Sequence, residues 1–125
     1  MHRDLAAIKA GARPDIMIFH GKPLTRGFKR IVEPATIISV MLLLDDGQIA
    51  FGDCADVILA GIAGRDWAFN AEDHLQALRG PISDALVGLD VSRFRENADI
   101  FDAYKVAGEA LHTAVRYGVT QALLH

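Results

Sequence analysis

The sequence predicts an α+β domain, with a short antiparallel β-sheet laid down first and a helical layer placed on it afterwards. Three observations carry this reading. Residues 36–53, "TIISVMLLLDDGQIAFGD", hold an apolar β-branched run, an Asp46-Gly47 turn signal and a second run, which is the pattern of a β-hairpin. From Asn70 onward the apolar spacing changes to steps of three and four. Of the 125 residues, 51% are apolar, enough for one core in a chain of single-domain length. Strands first and helices after is the α+β order, with the helices gathered on one side of the sheet.

Residues 1–35 mix Gly11, Pro14, Gly21, Pro23, Gly27 and Pro34 with short apolar pieces and keep no sustained period, so they read as an irregular lead-in. Residues 36–52 form the hairpin. Residues 53–69 read as a loop that contains the glycine-bearing "GIAGRD". Residues 70–125 are helical. Asn70 caps a helix bearing Leu75 and Leu78, Gly80-Pro81 ends it, and a shorter helix runs through Ala85. Ser92 caps the next, whose face is Phe94, Ala98, Phe101 and Tyr104, and a break near Gly108 precedes the last helix. That helix, "LHTAVRYGVTQALLH", aligns Leu111, Ala114, Val115, Gly118, Val119, Ala122 and Leu123 on one face. No repeat divides the chain, which reads as one domain over 1–125. Two strands make a marginal sheet, and nothing follows the last helix to cover it. The face Leu111, Val115, Val119 and Leu123 is therefore expected to be open and to drive self-association.

Composition excludes several partners. The net charge is -3, from 13 basic and 16 acidic residues without a basic cluster, so nucleic acid is not expected. No apolar run is long enough for a signal peptide or a membrane span, which makes a cytoplasmic location the expectation. Cys54 is the single cysteine, so there is neither an internal disulfide nor a thiolate zinc site.

The candidates for chemistry are few. Asp45, Asp46, Asp53, Asp56 and Asp66 form an acidic group of the kind that binds hard cations. Asp45 and Asp46 are better explained by the turn they make with Gly47, and Asp53 by capping of the next loop. Cys54 with His20 or His112 has no spacing that supports a nucleophile and base, and reads as a small buried hydrophobe. His112 and Arg116 lie four apart without an HExxH pattern and read as a polar flank. "GIAGRD" lacks the lysine and Ser/Thr of a phosphate-binding loop. Residue spacing thus yields no catalytic residue in this chain and no metal-ligand set.

The segments "AIKAGA", "LLDDGQIAFGDCADV", "GIAGRD" and "LHTAVRYGVTQALL" resemble the amino-terminal region of the methylaspartate ammonia-lyase family, within the enolase superfamily. The last is the most specific, and the resemblance runs in register from about Ile8 to the end. It implies an enolase-superfamily N-terminal capping domain, with the catalytic (β/α) barrel absent from these residues. A barrel needs about 250 residues. In the family the barrel carries the magnesium ligands and the lysine that removes a proton α to a carboxylate, after which ammonia leaves 3-methylaspartate to give mesaconate. The implied cofactor is therefore Mg2+ held by the barrel, and the implied partner is a barrel domain or subunit of the same enzyme. Two departures accompany the resemblance. The family has a strand ahead of the region matching Ile8, where this chain has "MHRDLAA", so the sheet is expected to lack its first strand. After Val57 the family carries a glutamine that contacts substrate and a tyrosine, where this chain has Ile58 and Leu59. Those two are the candidate substrate-pocket residues.

The leading reading is the cap that closes the substrate pocket of a methylaspartate ammonia-lyase-like enzyme, not catalytic by itself. Its rivals are a non-catalytic interaction or oligomerisation module, a truncated remnant with the same fold, and a small hydrolase using Cys54.

Overall fold

A computed structural model describes residues 2–55, 59–60 and 66–124. In chain order the elements are β1 (His2–Asp4), α1 (Leu5–Lys9), β2 (Arg13–Asp15), β3 (Ile18–His20), β4 (Val32–Glu33), β5 (Ile38–Leu43), β6 (Ile49–Cys54) and β7 (Leu59–Ala60). There follow α2 (Ala71–Ala77), α3 (Ser83–Leu86), α4 (Phe94–Ala103), β8 (Lys105–Val106), β9 (Glu109–Ala110) and α5 (Thr113–Leu124). Two compact units result, one from residues 1–36 with 56–69 and the other from 37–55 with 70–125.

In the first unit β1 is the centre of a three-stranded sheet, antiparallel to β4 and parallel to β7. A separate hairpin pairs β2 with β3. β1 to β4 occupy residues expected to be an irregular lead-in and β7 residues expected to be a loop, and all are two or three residues long, too short to leave a period in the sequence. Ala7, Phe28, Ile31 and Phe69 are buried. Asp4 organises this unit. Its carboxylate accepts from the Ala7 amide at 3.2 Å, which caps α1, and across the unit from the Leu24 amide at 2.5 Å, the Thr25 amide at 2.7 Å and the Thr25 hydroxyl at 2.5 Å. Its own amide donates to the Ile31 carbonyl at 2.8 Å.

In the second unit the expected hairpin forms. β5 and β6 pair in a six-residue antiparallel register from Ile38↔Cys54 to Leu43↔Ile49. The turn is closed by the Leu44 amide donating to the Gln48 carbonyl, with Gly47 at φ +87° supplying the left-handed position. One face of the hairpin packs on α5. Gly52 and Gly118 meet there, and a Cβ added to Gly52 would stand 1.8 Å from the Gly118 carbonyl oxygen. One added to Gly118 would stand 2.4 Å from the Cys54 sulfur and 2.6 Å from the Cys54 amide nitrogen. Only glycine at both positions lets helix and strand approach so closely.

Asn70 caps α2 as expected, accepting from the Glu72 amide. Gly80 leaves helical geometry at φ -107°, ψ -109°, and Gly80-Pro81 separates α2 from α3 across a wide turn. Ahead of α4 the capping acceptor is Asp90 rather than Ser92. Ser92 donates both its amide and its hydroxyl to the Asp90 carboxylate, at 3.0 and 2.6 Å. The expected break near Gly108 is the β8–β9 hairpin, whose turn residues Ala107 and Gly108 both have positive φ.

Two expectations about the last helix need correction. Leu111, Val115, Val119 and Leu123 are 9, 1, 0 and 4% exposed, so the face expected to drive self-association is already buried in this unit. The reason is that β6 presents Ala50, Gly52 and Cys54 at alternate positions, a flat groove into which α5 settles. His112 is not a polar flank either. It is buried, and its Nδ1 accepts from the Ala114 amide at 3.1 Å, capping α5, while Arg116 reaches Thr113 and Asp102.

Two outcomes are expected. Gly118→Ala places a methyl group against backbone that cannot swing aside, so it should cost about 3 kcal/mol or more in urea unfolding; a loss below 1 kcal/mol would show that the contact yields. For Asp4, burial alone would raise the carboxyl, but bonds from Thr25, Leu24 and Ala7 outweigh it and hold the group below its ordinary 3.8. A folded-state value below the unfolded one stabilises above the unfolded value, and this contribution is lost as pH falls through the depressed one. Exchange protection of the Ala7 and Thr25 amides should therefore drop below about pH 4. In Asp4→Asn that dependence should flatten, with about 1–3 kcal/mol of local stability lost at pH 6.

Candidate functional site

Ile58 lies outside the described residues. Leu59 follows it as the first residue of β7, whose register on β1 is Arg3↔Leu59 and Asp4↔Ala60. The backbone at the candidate pocket position is thus laid against the strand that ends in Asp4. On the far side of residues 61–65 the chain is held again. The Ala68 amide donates to the Arg26 carbonyl at 3.2 Å, the Arg26 guanidinium sits 4.9 Å from the centre of the Trp67 ring, and Gly27 packs on Ala68. The described residues on either side of 61–65 are therefore held within one unit, Leu59 and Ala60 by β1 and Trp67 and Ala68 by Arg26 and Gly27.

Asp46 and Asp53 of the acidic group are engaged in bonds of their own unit. Asp45 and Asp46 lie in the hairpin turn, where Asp46 accepts from the Gln48 amide at 2.9 Å and the Gln48 side chain at 2.7 Å. Asp53 accepts from the Ser39 hydroxyl at 2.6 Å, and its amide donates to the Gln121 side chain at 3.0 Å. Asp66 belongs to the other unit, and Asp56 is outside the described residues. Among the described residues no group of three or more His, Cys, Asp or Glu side chains is placed to hold a metal ion.

Cys54 is fully buried, with its sulfur 3.9 Å from the Val115 carbonyl. Burial, aided by the Asp53 carboxylate, pushes the thiol up to about 11. A nucleophilic cysteine needs the opposite shift. The hydrolase reading fails on this point. His20 lies on β3 beside Asp15 at 3.5 Å, and His112 is a helix cap whose ring is 5.3 Å from that of His74.

Sequence reasoning missed Asp4. The string "RDLAAIK" is a helix start with an N-cap aspartate. That local signal was available, whereas its bonds to Leu24 and Thr25, some twenty residues away, left no mark in the sequence.

The architecture is that of a small α+β domain that positions loops and brings no catalytic set of its own among the described residues. The family model for the methylaspartate ammonia-lyase N-terminus matches residues 1–125. The chain belongs to that family. It is 48% identical over 122 residues to methylaspartate ammonia-lyase 2 of Carboxydothermus hydrogenoformans and 43% identical over 121 residues to the Clostridium tetanomorphum enzyme, in each case over 97% of this chain and 29% of the relative. It thus spans under a third of the length of these relatives. Among solved structures, the magnesium complex of β-methylaspartase from Clostridium tetanomorphum superposes with a TM-score of 0.85 at 42% identity. The Citrobacter amalonaticus enzyme containing (2S,3S)-3-methylaspartic acid gives 0.85 at 45%. Each superposition covers 98% of this chain and 30% of the other.

Folded protein at pH 7.5 should leave Cys54 unmodified by a disulfide-exchange reagent over the time in which urea-unfolded protein reacts fully. Reaction of the folded chain at the rate of a free thiol would return Cys54 to the list of candidate nucleophiles.

Proposed function

We propose that residues 1–125 act as one capping domain in a methylaspartate ammonia-lyase-like enzyme, closing a substrate pocket whose chemistry is performed by a barrel domain or subunit. The observation that carries this reading is the match of the whole chain to the amino-terminal family of these lyases, with a TM-score of 0.85 to their solved structures. The assembled enzyme would eliminate ammonia from an amino acid after magnesium-assisted removal of the α-proton. The metal and the base are assigned to the barrel, and no step of that chemistry is assigned to this chain. Among the described residues no helix is long and apolar enough to cross a membrane, and the reading places the enzyme in the cytoplasm.

Ile58 and Leu59 are the proposed pocket residues. A substrate amide, carboxylate or ammonium set against Ile58 would give up water without gaining a partner. An apolar substituent would gain from burial there. The substrate is accordingly proposed to be less polar at this position than methylaspartate.

The chain alone, with magnesium and 3-methylaspartate, should form no mesaconate above a protein-free control. Fused to the remainder of the Clostridium tetanomorphum enzyme it should restore ammonia release, with methylaspartate turned over poorly. Ile58→Gln with Leu59→Tyr should then raise kcat/KM for methylaspartate about ten- to a hundredfold, the equivalent of ~1–3 kcal/mol. A fusion no more active than the isolated barrel would refute the capping role. Efficient turnover with Ile58 in place, unchanged by the substitutions, would refute the specificity argument and leave the capping role standing.

A further inference from the structure

We draw no further inference here: the strongest candidate, the apolar tip of the β2–β3 hairpin, where Ile16 is 97% exposed at φ +52° beside an exposed Met17, is a surface patch, and nothing in the structure shows what covers it.

Discussion

The second unit depends on the meeting of Gly52 and Gly118. A helix normally rides on a sheet at a distance set by the side chains between them. Here two glycines remove those side chains, and α5 comes down until its backbone touches β6. Everything on that face of α5 follows from this approach. Val115 and Val119 become fully buried, Cys54 is sealed beneath the helix, and Gln121 comes within reach of the Asp53 amide. The raised thiol is a consequence of the same contact, since sulfur at the foot of a closely packed helix has no water to support its charge. The packing that holds the unit together thus withdraws the Cys54 thiol from solvent.

The first unit has no comparable helix and solves its problem with one carboxylate. Its strands are two or three residues long and would not hold by ladder bonds alone. Asp4 instead collects donors from α1 and from Leu24 and Thr25, and as an ionised acceptor it binds each more strongly than a neutral group would. β7 is laid on β1 at this residue, in the register Asp4↔Ala60.

How far the sequence spoke depended on the range over which each feature acts. The β5–β6 hairpin, the Asn70 cap and the apolar face of α5 were legible because their signals sit within a few residues of one another, whereas the burial of that face against β6 was not. The Gly52–Gly118 contact was not, since each glycine looks like an ordinary weak point in its own element until the two are placed together. The turns of two hairpins go against local preference. Ala107 and Ile16 adopt positive φ, where asparagine or glycine is favoured and a β-branched residue is strained, so the β8–β9 and β2–β3 pairings could not be read from their turns. The candidate pocket was not legible from spacing at all. Ile58 and Leu59 stand out by resemblance to a family pattern, as departures from it, and a departure carries no periodicity that could announce it.

The composition of β5 and its flanks leaves one face of the hairpin apolar and open. "TIISVMLLL" is apolar without alternation, a pattern of strands covered on both faces. In this chain one face is covered by α5. The other carries the cross-strand pairs Met41–Phe51 and Leu43–Ile49, all four exposed. A sheet stable by itself would place polar residues there, because contiguous exposed apolar area is a liability unless something covers it. Among the described residues β5 is covered on one face, by α5, and paired on one edge, by β6.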